Sequence, residues 1–187
     1  MSTAPYEQAI AAAKSVLAGV KANQIAAATP CASWKVSDLV NHMVGGQFFF
    51  TTVAKGEPMS EAKSPDFSSG DFKSAFAQGS ADAVAAFKAD GAMAKTMHLP
   101  WGDMPGSDFV GIAAVDTFAH AWDLARATGQ NTDLNPELAA GLLVGARAGI
   151  CDQFRGAEGV APFGPEQKAP AGASKADQLA AFLGRTI

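Results

Sequence analysis

The sequence predicts an all-α protein built as a helix bundle, and three observations lead there. Its 187 residues contain 40 alanines against 25 β-branched residues, a balance that favours helix because alanine loses no side-chain entropy there. Apolar residues recur at three- and four-residue spacings through four stretches of fifteen to twenty residues. Glycine- and proline-rich connections separate those stretches. With 48% hydrophobic and 17% charged residues, the chain can bury one core, and residues 1–187 read as a single domain.

The first helix is expected from about Tyr6 to Val20, with Ile10, Ala13, Val16, Leu17 and Val20 on one stripe. A second starts near Lys35 or Val36, after the turn at Thr29 to Cys31, and runs to about Ala54. Its inward stripe holds Leu39, His42, Met43, Gly46, Phe49, Phe50 and Val53. Ser, Pro, Gly and charge from Lys55 to Gly70 mark a surface loop, and a third helix follows over Phe72 to Lys88. Ala92 to Gly106 is a connection with Thr96 to Leu99 extended, suited to a small hairpin. The next helix spans Asp108 to Thr128, with Ser107 as its expected cap and Gly129 as the left-handed residue beyond its end. A fifth covers Pro136 to Phe154 behind an Asn135 cap, and a short helix near Asp177 to Leu183 follows.

Fourteen basic and eighteen acidic residues leave a net charge of −4 with no basic block, which argues against nucleic acid as a partner. Glu7 and Lys14 interrupt the first apolar stretch, so it lacks the form of a signal peptide. No apolar run suits a bilayer crossing, and the expected location is the cytoplasm. Cys31 and Cys151 are 120 positions apart in no paired motif, which reads as two thiols. GxSxG, Walker A, GxGxxG and paired CxxC motifs do not occur.

Chemistry concentrates on three residues. Asp116 and His120 are four apart on one helix and project from one face. A carboxylate and an imidazole one turn apart can offer lone pairs to a single ion. His42, on the inward stripe of another long helix, is the natural third ligand, whereas His98 sits on a connection. Two imidazoles and one carboxylate would leave positions open on a metal, as catalytic zinc or facial-triad iron requires. The plain alternative is a surface pair of Asp116 with His120.

Other residues carry paired readings. Asp123 could orient a ligand or bind metal, but pairing with Arg126 weighs slightly more. Asp38 could reach His42, yet first-turn capping explains it better. Gly45 and Gly46 leave room near His42 or permit close helix packing. Trp34, Trp101, Trp122 and Phe48 to Phe50 read first as core. Cys31 reads as a buried thiol.

Four strings, TPCASWKVSDLVNHMVGGQ, LPWGDMPG, AAVDTFAHAWDLARATG and KADQLAAFLGR, together resemble actinobacterial metal-binding proteins related to the amino-terminal domain of mycothiol-dependent maleylpyruvate isomerase, in the DinB/YfiT-like superfamily. The resemblance implies a DinB-like four-helix bundle and a divalent metal, zinc first and nickel or iron next, on His42, Asp116 and His120. It also implies a low-molecular-weight thiol such as mycothiol. The acid is an aspartate where the family also uses glutamate, and the isomerase's carboxy-terminal domain has no counterpart in the sequence. The expected activity is metal-dependent thiol transfer or isomerisation of a small electrophile. The alternatives are a non-catalytic metal- or ligand-binding bundle with a stress or sensing role, for which a homodimer is the expected assembly, and non-haem iron oxygen chemistry.

Overall fold

In the computed structural model, which describes residues 2–31, 33–58, 64–157 and 160–187, local sequence accounts for most element boundaries. Helix α1 (Ala4–Gly19) has Pro5 in its first turn, where a missing N–H costs nothing. Helix α2 (Val36–Lys55) begins with the Asp38 carboxylate accepting the Lys35 backbone N–H at 2.9 Å, the expected capping role, and ends at Gly56 in the left-handed region, φ 74°. Helix α3 (Phe72–Lys88) is capped by Asp71, which accepts the Ser74 N–H at 3.1 Å. Of the surface loop expected over residues 55–70, positions 59–63 lie outside the described residues.

The expected hairpin forms between β1 (Thr96–Leu99) and β2 (Gly102–Pro105), antiparallel with Thr96 opposite Pro105 and Leu99 opposite Gly102. It leads directly into α4 (Gly106–Ala127). Ser107 does not cap this helix as expected. The helix starts two residues earlier than expected, with the Gly106 N–H on the Lys95 carbonyl and the Ser107 N–H on that of Met93, each at 2.9 Å, so Ser107 lies inside the first turn rather than at the cap. Position 106 must be glycine, since a Cβ there would meet the Ala92 carbonyl oxygen at 2.1 Å.

Helix α5 (Pro136–Gly149) starts behind Asn135, whose side chain accepts the Leu138 N–H at 3.2 Å. It stops five residues short of the expected Phe154. Gly145 and Gly149 weaken its last turns, and the Phe154 carbonyl instead accepts the Phe163 N–H at 3.2 Å, which turns the chain away. The short helix α6 (Lys175–Phe182) starts two residues early, where the Ser174 hydroxyl accepts the Asp177 N–H at 3.0 Å.

Helix α1 packs on α4 and α3, and α2 packs on α3 and α4, so the first four helices close a bundle with α1 and α2 at opposite corners. Helices α5 and α6 pack on each other and against α4. The fold is all-α apart from the one hairpin, as the sequence predicts. At the centre, Tyr6, Phe50, Phe87 and Phe109 meet with ring centroids 5.8–6.0 Å apart. The Tyr6 hydroxyl donates to Gln47 Oε1 at 2.5 Å, and Gln47 Nε2 donates onward to Thr117 Oγ1 at 3.3 Å. Burial, with the negative charge of Asp116, pushes the Tyr6 pKa well up and keeps that donor protonated. No helix among the described residues is long and apolar enough to cross a membrane.

Phe109 has no exposed surface and packs against three of the other aromatic rings. Phe109→Ala is expected to cost about 3–5 kcal/mol, read as a lower urea midpoint with an unchanged denaturant slope.

Candidate metal centre

Helices α2 and α4 run side by side, and His42 from one meets Asp116 and His120 from the other. His42 Nε2 lies 3.4 Å from Asp116 Oδ1, and His120 Nε2 lies 3.5 Å from the same oxygen. The two imidazole rings are edge to face with centroids 4.5 Å apart. One donor atom from each of the three residues falls within 4.8 Å of the others. The three residues singled out from sequence are therefore brought together, half-buried, on one face of the bundle.

The charge pattern around them is uneven. Burial works against a charged His42, but contact with the Asp116 carboxylate more than restores it and leaves the His42 pKa raised. Asp116 is likewise pushed up by burial and drawn further down by His120 and His42, below the ordinary aspartate range. Among the described residues, Asp116 forms ion pairs with the two imidazoles alone.

Asp123 does not pair with Arg126, which is exposed. Its fully buried carboxylate accepts His120 Nδ1–H at 3.0 Å and is gripped on both oxygens by Arg185, Nε to Oδ1 at 3.1 Å and Nη2 to Oδ2 at 2.8 Å. An ionised carboxylate can only accept, so Nδ1 donates to Asp123, and this contact turns His120 Nε2 towards Asp116. Cys31 Sγ donates to Asp123 Oδ2 at 3.5 Å. Cys31 is thus half-buried beside the site, where the sequence suggested an isolated buried thiol. Cys31, His120 and Asp123 also have donor atoms within 4.8 Å of one another, but Arg185 already balances the Asp123 charge, and that group is a hydrogen-bonded ion pair.

The aromatic residues separate into three roles. Trp34 covers the histidines, its ring centroid 4.8 Å from His42 and 5.7 Å from His120. Trp122 is buried and donates its indole N–H to Asp177 Oδ1 at 2.8 Å, pinning α6 to α4. Trp101, at the tip of the hairpin, is 59% exposed and belongs to neither core nor site. His98 is also exposed and pairs across the hairpin with Asp103 at 2.9 Å. A Cβ at Gly45 would meet nothing within 4 Å, and one at Gly46 would come no closer than 3.8 Å to Phe50 and 3.9 Å to Asp116 Oδ2. Neither glycine is demanded by close helix packing, and Gly46 is the one that borders the carboxylate.

Sequence reasoning missed Arg185. Nothing in its spacing links it to position 123, and only the docking of α6 brings the two together.

A mostly helical bundle with a single small hairpin is consistent with the DinB-like class. The chain belongs to the family of the mycothiol maleylpyruvate isomerase N-terminal domain, whose model matches residues 6–125. Uncharacterized proteins from two strains of Mycobacterium tuberculosis, CDC 1551 and H37Rv, are each 42% identical to it over 182 residues, covering 97% of this chain and 96% of theirs. No solved structure matches it.

Burial works to raise the Asp123 pKa, but the charge of Arg185 and the His120 hydrogen bond hold it far below the ordinary aspartate range. The stability this ion pair contributes is complete above the unfolded-state value of about 3.9 and is lost progressively as pH falls below it. Asp123→Asn should therefore cost about 3 kcal/mol or more at pH 7. Urea titrations should show the gap between wild type and variant closing as pH falls below about 4.

Proposed function

We propose that the protein binds a divalent cation, zinc first, through His42, Asp116 and His120, and uses it to activate a mycothiol-type thiol for transfer to, or isomerisation of, a small electrophile. The observation that carries the metal reading is the spacing of the donors. Nitrogen and oxygen ligands about 2.1 Å from a tetrahedral ion stand about 3.4 Å from one another, and the two imidazole nitrogens here stand 3.4 and 3.5 Å from Asp116 Oδ1. Such separations are long for N–H···O hydrogen bonds, which centre near 2.9–3.0 Å.

A bound zinc-type ion supplies Lewis acidity, lowering the pKa of a thiol that coordinates it. The protein's own residues prepare for that chemistry. Three ligands leave a coordination position for an outside group. Asp123 fixes the proton of His120 on the far side of the ring. Trp34 lies over both imidazoles and covers them on one side, while Gly46 keeps the position next to Asp116 free of a side chain. The family supports the thiol, since the matching family model is that of a mycothiol-dependent isomerase domain.

Purified protein should carry one equivalent of divalent metal by elemental analysis, and His120→Ala should lose nearly all of it, because one of three ligands is gone. Equal metal content in the two proteins would end the proposal. With metal in place, a low-molecular-weight thiol and a maleyl-type electrophile should react faster than in buffer, and chelation should abolish the difference. Stoichiometric metal without turnover of any thiol and electrophile pair would assign the site to binding alone.

A further inference from the structure

We infer that the face shared by α2 and α4 beyond the metal ligands is a subsite for a flat, uncharged arm of the substrate, with Trp101 as its specificity-determining residue. The register of the two helices defines this face. His42 Nε2 lies 3.4 Å from Asp116 Oδ1. Seven residues further along α2, the Phe49 ring stands 6.0 Å, centroid to centroid, from Phe109, which is seven residues earlier on α4. The helices are therefore antiparallel here, and the two contacts bound about 10 Å of common face.

Between those contacts α2 presents bare backbone. Gly46 borders Asp116, and a Cβ at Gly45 would meet nothing within 4 Å. Each glycine costs an interior helix about 1 kcal/mol against alanine, and here no close packing requires either one. On α4 the same stretch carries Ile112, which is exposed and lies three residues after Phe109 and four before Asp116. At the far end the hairpin tip sets Trp101 beside Phe49, with ring centroids 6.0 Å apart and planes tilted by 34°, yet leaves the indole mostly exposed. Phe49, Ile112 and Trp101 carry no charge, so the group they favour is flat and apolar, such as an aryl ring. A second copy of the chain fits the face poorly. Even three fully exposed side chains of about 150–250 Å² each fall short of the roughly 800 Å² per partner that a stable interface buries. A single ring-bearing arm matches it. This inference deepens the function proposed above and rests on it for the reacting end, which an arm bound against Trp101 would place about 10 Å away, at the metal.

Two probes separate the subsite from the metal. In metal-free, ¹⁵N-labelled protein, naphthylmethanol, which is uncharged and does not chelate, is titrated while the indole N–H resonances are followed, with Trp101→Phe to assign that of Trp101. The Trp101 resonance should shift saturably, and that of the buried Trp122 should stay in place. In zinc-loaded protein, phenylbutyrohydroxamate should bind roughly tenfold more tightly than acetohydroxamate. Trp101→Ala should bring that ratio close to one, and Trp101→Phe should restore part of it. No saturable shift at Trp101, or a ratio that Trp101→Ala leaves unchanged, overturns the proposal. A Trp101 resonance that moves with protein concentration instead of with the probe assigns the face to a second copy and overturns it as well. A saturable shift in a protein that takes up no zinc upholds the subsite and refutes the metal reading beside it. If Trp101→Ala does not fold, the wild-type titration and the Trp101→Phe ratio still decide the matter.

Discussion

A single buried carboxylate ties the site to the rest of the molecule. Asp123 has no exposed surface, and burying an unpaired charge of that kind would cost several kcal/mol. It is tolerable because a guanidinium, an imidazole N–H and a thiol converge on it from three different parts of the chain. That convergence orders α4, the turn before α2 and the segment after α6 relative to one another. The face of His120 that looks towards α2 inherits its orientation from this arrangement.

The polar string Tyr6–Gln47–Thr117 does related work on the other side of Asp116. It crosses the core from α1 through α2 to α4, with each buried group bonded. Such strings fix the relative rotation of helices more sharply than apolar packing does, because a small slip would leave buried donors without acceptors. Thr117 is the residue after Asp116, so the string also fixes where that carboxylate sits along α2.

Much of this was legible in the sequence. Periodicity placed α1 to α4 within one or two residues, and the i,i+4 spacing of Asp116 and His120 with the stripe position of His42 picked out the residues that meet. Local signals failed where nonlocal contacts decided the outcome. Ser107 lost its capping role to carbonyls of residues 93 and 95, and α5 ended early because the Phe154 backbone bonds to residue 163. Spacing pairs Asp123 with Arg126 three residues away, yet its partner is Arg185, 62 positions distant. Trp34 looked no different from Trp101 or Trp122 in composition, but only Trp34 lies over the imidazoles.

Gly184 is an unassuming residue with an unexpectedly long reach. A side chain there would strike the backbone of Gly164 at 2.7 Å, and the residue already occupies a left-handed conformation that other amino acids resist. Nothing about the position advertises chemistry, and a mutagenesis library confined to the neighbourhood of the histidines would pass over it. Yet replacing it would displace the guanidinium one residue later, so damage at a plain backbone crossing would be misread in a screen as the loss of a side chain beside the histidines.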